Sequence, residues 1–131
     1  MQTREINPWS WQDSFAFAHG REITDATRVL TLSGQCATDA NGAPQCPGDM
    51  AGQLALSVAN LGEVLKAAGM GFENVQGIRI FTTDMDATLA HWESLIAPFR
   101  NLGYRPASTL VGVSRLFSPD LMVEIEATAA N

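Results

Sequence analysis

Glu124 and Glu126 stand two residues apart in the run 121–128, LMVEIEAT, which alternates acidic and apolar residues. If the run is a strand, both carboxylates share one face, about 7 Å apart at ~3.3 Å rise per residue, and Val123, Ile125 and Ala127 share the other. On an open sheet face such a pair is solvated and inert. On a covered face one carboxylate sits near apolar groups, its proton affinity rises, and it can pass protons at neutral pH. Ser33 and Ser108 add hydroxyls, but neither has a recognisably paired histidine base, so a covalent serine mechanism is not indicated. Cys36 and Cys46 with the scattered His19 and His91 lack the spacing of a zinc site, and no cofactor is implied.

The carboxylates need a sheet to hold them. The run 107–113, ASTLVGV, reads as a strand, and Ser118-Pro119-Asp120 as the turn joining it to 121–128. Alternation puts Ser108, Leu110 and Gly112 on one face, and Thr109, Val111 and Val113 on the other. Upstream, 14–23 and 28–33 read as two strands, and 36–48 as a loop containing the turn signal Asn41-Gly42. Asp49 is placed to cap a helix over 50–68. Leu54, Val58, Leu61 and Leu65 make its apolar stripe, and Gly69 suits a left-handed exit. Residues 74–84 read as a strand buried on both sides, with Arg79 either a paired structural cation or a ligand contact. Asp84 or Asp86 caps a second helix to about 103, with Leu89, Trp92, Ile96 and Phe99 on its apolar face and His91 exposed. Pro98 predicts a kink or break near 94–98, because its ring meets the carbonyl of Ser94. Near the start, Trp9 and Trp11 either anchor the N-terminus or wall a pocket.

The order strand, strand, helix, strand, helix, strand, strand predicts one α+β domain over 1–131, with both helices on one face of a mixed sheet. The remaining apolar face needs cover, which self-association would supply. With 46% hydrophobic and 17% charged residues the chain is globular rather than disordered. A net charge of −6 without a basic stripe argues against nucleic acid or an acidic membrane as partner. No apolar run approaches the ~20 residues that cross a bilayer, and the first twenty residues carry no secretory pattern, so a cytoplasmic location is expected. Two free thiols fit that compartment.

Ser33-Gly34-Gln35, Asn60-Leu61 with Ala67-Ala68-Gly69, Phe81-Thr82-Thr83-Asp84, Arg105-Pro106-Ala107, Arg115-Leu116 and Glu124-Ile125-Glu126-Ala127 occur in the order of the Rid/YjgF family, which this chain resembles along its whole length. The resemblance implies a chorismate-mutase-like fold in a homotrimer, with sheets facing inward and pockets at subunit boundaries. It also implies hydrolysis of reactive imines or enamines. By the same resemblance Ser33 and Gly34 face the pocket and Glu124 positions a water. Other positions depart from the pattern. Ser108 stands where imine-hydrolysing members carry a carboxylate-binding arginine, Phe17 where they carry tyrosine, Leu110 where they carry a small polar or sulfur-bearing residue, and Trp92 where some carry asparagine. A serine cannot form the bidentate charge-assisted clamp of an arginine. Arg105 and Arg115 are near in sequence, but neither occupies the matching strand position.

Two expectations follow. One is an enzyme adding water to, or moving a proton on, a neutral, larger or aromatic imine, enamine or related small molecule. Its catalytic residue would be Glu124, with Phe17, Ser33, Gly34, Trp92, Ser108 and Leu110 binding substrate. The other is a non-catalytic protein of the same fold that binds a metabolite or regulates a partner.

Overall fold

The computed structural model describes residues 1–131. Six strands are labelled β1 (Gln2–Ile6), β2 (Gly20–Thr24), β3 (Val29–Cys36), β4 (Val75–Thr82), β5 (Ala107–Gly112) and β6 (Val123–Ala130). Three helices are α1 (Met50–Ala67), α2 (Met85–Ala90) and α3 (Trp92–Asn101). The main sheet has the order β3-β6-β4-β5, with β6 antiparallel to both neighbours and β5 parallel to β4. The architecture is the expected α+β, but β5 and β6 are not a hairpin. β6 inserts between β3 and β4, and a ten-residue excursion carries the chain past β4.

The helices cover one sheet face. Leu54, Val58, Leu61 and Leu65 of α1 are all buried, and they pack with Ile78, Ile80, Ile125, Ala127, Leu95, Ile96 and Phe99 in one core. Each large aliphatic side chain so buried stabilises the fold by about 1.5–3 kcal/mol. Asp49 caps α1 as expected, its carboxylate accepting from the N–H of Gly52 at 2.9 Å, and Gly69 takes φ +70° after the last turn. Asp84, rather than Asp86, caps α2 through the N–H of Ala87 at 3.0 Å.

The expected second helix is two. The break falls at His91, and Pro98 lies inside α3. The break leaves Pro98 in a short separate helix of ten residues. Strand β4 is also not buried on both sides. Ile78 and Ile80 are buried under the helices, whereas Arg79 is exposed on the far face and pairs with Glu126 at 3.0 Å. Arg79 is thus the paired cation of the two readings.

The N-terminal strand β1 is absent from the sequence reading. It pairs antiparallel with β2 in a separate two-stranded ribbon. Arg21 fastens this ribbon to the body. Its guanidinium is almost fully buried, lies 4.1 Å from the Tyr104 ring centroid, and donates to Gln76 at 3.2 Å and to the carbonyl of Arg105 at 3.0 Å. Residues 7–19, joining β1 to β2, include a short 3-10 helix (Trp11–Phe15) and run along the edge of β5 through an Ala18–Ala107 bridge. No helix is long and apolar enough to cross a membrane.

Candidate functional site

The register assigns the expected site residues to two faces of one sheet. Ser108 and Leu110 of β5 align with Ile78 and Ile80 of β4, so they point to the helix side. Glu124 aligns with Phe81 of β4 and Cys36 of β3, one residue out of phase with the core-facing Ile125, so it points to the other side.

On the helix side, Phe17, Trp92, Ser108 and Leu110 come together in a cavity of about 240 Å³. Trp11, Phe15 and Leu89 complete its wall, and Ser108 is its one polar residue. The Ala18–Ala107 bridge brings Phe17 beside Ser108. Ala16 is in the left-handed region at φ 55°, and the tight reversal buries its methyl in the core while Phe15 and Phe17 flank the opening. The Trp92 indole N–H donates to the carbonyl of Phe15 at 2.9 Å, which fixes both walls. Trp11 meets Phe17 edge-on, with ring centroids 5.6 Å apart. The Ser108 hydroxyl donates to the carbonyl of Pro106 at 3.3 Å.

No guanidinium enters this cavity. Arg105 turns away and pairs with Glu5 at 2.7 Å and with Asp13. The hydrogen bond to Glu5 is the main cause of a guanidinium pKa raised above its ordinary value. Arg105 therefore holds the N-terminal segment that carries Trp11.

On the opposite side, β3 bulges between Leu32 and Gln35, and Ser33 and Gly34 occupy the bulge. Such irregularities re-aim side chains near functional sites. The Glu124 carboxylate lies directly against Gly34: a Cβ there would come 2.1 Å from Oε1. The position tolerates glycine because the carboxylate fills the space that a side chain would take. Cys36 faces Glu124 across the ladder. Burial, reinforced by the charge of Glu124, pushes its thiol up to about 12, so it is a neutral thiol and not a nucleophile.

The entry to β6 is pinned two residues before Glu124. Gln53, buried on α1, donates to the carbonyl of Asp120 at 2.7 Å and accepts from the N–H of Met122 at 2.8 Å. The Thr82 hydroxyl donates to the carbonyl of Met122 at 3.1 Å. These bonds fix where the carboxylate emerges. Sequence reasoning missed them because a glutamine inside an apolar helix stripe carries no signal of its partner.

A family model described as Endoribonuclease L-PSP matches residues 15–131. The chain belongs to this family, the Rid/YjgF proteins. Among solved structures, the Rid-family protein YyfB of Yersinia pestis, of unknown function, superposes with a TM-score of 0.86 at 33% identity over 100% of both chains. Escherichia coli TdcF with bound serine gives a TM-score of 0.71 at 26% identity, over 88% of this chain and 87% of that one. The 2-iminobutanoate/2-iminopropanoate deaminase of Mus musculus is 36% identical over 65 residues, 50% of this chain. That stretch spans about half the length of the mouse enzyme, 48%. Within this Rid protein, the cavity and the carboxylate remain on opposite sides of the sheet.

Proposed function

We propose that this Rid protein is an enzyme that adds water to a reactive imine or enamine, at a pocket built from two copies of the chain in a homotrimer. The apolar cavity around Ser108 comes from one copy, and Ser33, Gly34 and Glu124 from its neighbour. The observation that carries this reading is the placement of the two halves on opposite faces of one sheet. A single copy cannot bring them to one substrate, whereas copies packed side by side can. The uncovered face, with Phe81 and Val111 among its residues, supplies apolar surface for that packing.

In the proposed reaction Glu124 accepts a proton from a water whose oxygen bonds to the imine carbon, and the nitrogen gains a proton. The resulting carbinolamine then loses ammonia to leave a carbonyl compound. In this reading backbone N–H groups near Gly34 steady negative charge as it develops. Lack of an arginine at Ser108 argues against the small imino acids handled by the mouse relative.

The family description names an endoribonuclease, and the charge distribution argues against RNA here. Five of the seven arginines (Arg4, Arg21, Arg79, Arg100 and Arg105) are already paired with carboxylates on a chain of net charge −6. Phosphate backbones need unpaired positive charge.

The missing arginine favours one second reading, a non-catalytic protein that keeps the pocket to bind a metabolite. A panel of neutral imines and enamines separates the two. The catalytic reading expects turnover that falls at least a hundredfold in Glu124→Gln with the sedimentation coefficient unchanged. Saturable binding without turnover by the wild-type protein would establish the second reading instead.

A further inference from the structure

Resting on the pocket just proposed, we infer that the helix-side cavity selects substrates in which an aromatic ring is joined to an uncharged N–H donor, and that Trp11 is the residue that sets this selectivity. Three observations converge. The first is size and lining. An apolar cavity of about 150 Å³ is enough to bind benzene. This one measures about 240 Å³, room for a ring and a short arm, and six of its seven lining residues are apolar. Phe15, Phe17, Trp11 and Trp92 line it, and aromatic side chains pair favourably with a flat aromatic guest beyond the area they bury.

The second is the polarity of the single hydroxyl. The Ser108 O–H is spent on the carbonyl of Pro106, so Oγ presents lone pairs to the cavity. An imine, enamine or amide N–H meets an acceptor there. A carboxylate would meet like polarity, in a cavity without a cation.

The third is the position of Trp11. It is 61% exposed, yet it is held edge-on to both Phe17 and His19, with centroids 5.6 and 4.9 Å apart. Its segment is tied down by Arg105 through Asp13 and Glu5. A large indole kept in place while mostly exposed is a preorganised wall, and ordering it costs the ligand little.

The test uses unreactive isosteres, so binding is read independently of catalysis. 2-Phenylacetamide and phenylacetate are titrated at pH 7 against the full-length protein, following indole N–H signals by NMR and the quenching of tryptophan fluorescence. The amide is expected to bind at least tenfold more tightly than the carboxylate and to shift the Trp11 and Trp92 signals. Trp11→Ala should weaken the amide at least fivefold without altering sedimentation. Ser108→Arg should invert the preference. Equal or tighter binding of the carboxylate overturns the inference, as does failure of the amide to bind. A Trp11→Ala variant that changes assembly but leaves amide affinity intact also overturns it, and marks the aromatic patch as an interface between copies. Amide binding without turnover of any imine upholds this inference while overturning the catalytic reading.

Discussion

Glu124 and Gly34 form the tightest local pairing of the proposed site, and the pairing can be probed by adding one methyl. In Gly34→Ala the new Cβ would approach Oε1 to 2.1 Å. The obstructing atoms are the end of a flexible side chain, so the carboxylate swings away and the fold survives. Turnover is expected to fall at least tenfold with little change in melting temperature, as measured by steady-state kinetics and calorimetry. Cys36 gives a second prediction. Burial, and then the charge of Glu124, push its thiol up to about 12 from an ordinary 9.0. A raised pKa contributes stability that is complete below the unfolded value and is lost as pH rises through the folded one. Denaturant midpoints should therefore decline between pH 9 and about 12, and Cys36→Ala should flatten that decline. At this scale the sequence was partly legible. Of the residues assigned to one pocket, Phe17, Trp92, Ser108 and Leu110 line a common cavity, whereas Ser33, Gly34 and Glu124 lie together across the sheet. Phe15 and Leu89 were not legible, because each becomes a wall only through the left-handed reversal at Ala16 and the separate short helix α2.

Among the elements, those with local signals were readable from sequence and those defined by distant pairing were not. α1 was legible because its stripe, cap and exit glycine all act within the helix. Asp49→Ala removes the bond to the Gly52 N–H and should cost about 0.5–2 kcal/mol, measurable by urea denaturation. β1 was not legible. Its residues are mostly exposed and show no apolar alternation, and it is held by β2 and by the Arg4–Glu22 and Arg21–Glu5 pairs. The turn at 118–120 suggested that β5 and β6 form a hairpin. The sheet instead pairs β6 with two strands remote in sequence, a choice that depends on the whole core rather than on the turn. Likewise Pro98 announced an interruption, but the chain breaks at His91, ahead of the helix that the proline occupies.

For the whole molecule, the central matter is which copy supplies which half of the site. One sheet face of the protomer lies under the helices, and the other bears Arg79, Phe81, Glu124 and Glu126. In the proposed homotrimer, the Ser108 cavity and the Glu124 carboxylate of any working site belong to different copies. Mixing two separately inactive variants tests this directly. Glu124→Gln spoils only the carboxylate half, and Leu110→Asp spoils only the apolar half. After denaturation and refolding together, random assortment in a cyclic trimer would give about a quarter of the sites two intact halves. The rate of imine hydrolysis should recover to about that fraction of wild type. A mixture as inactive as its two components would mean that both halves belong to one copy, and would contradict the account.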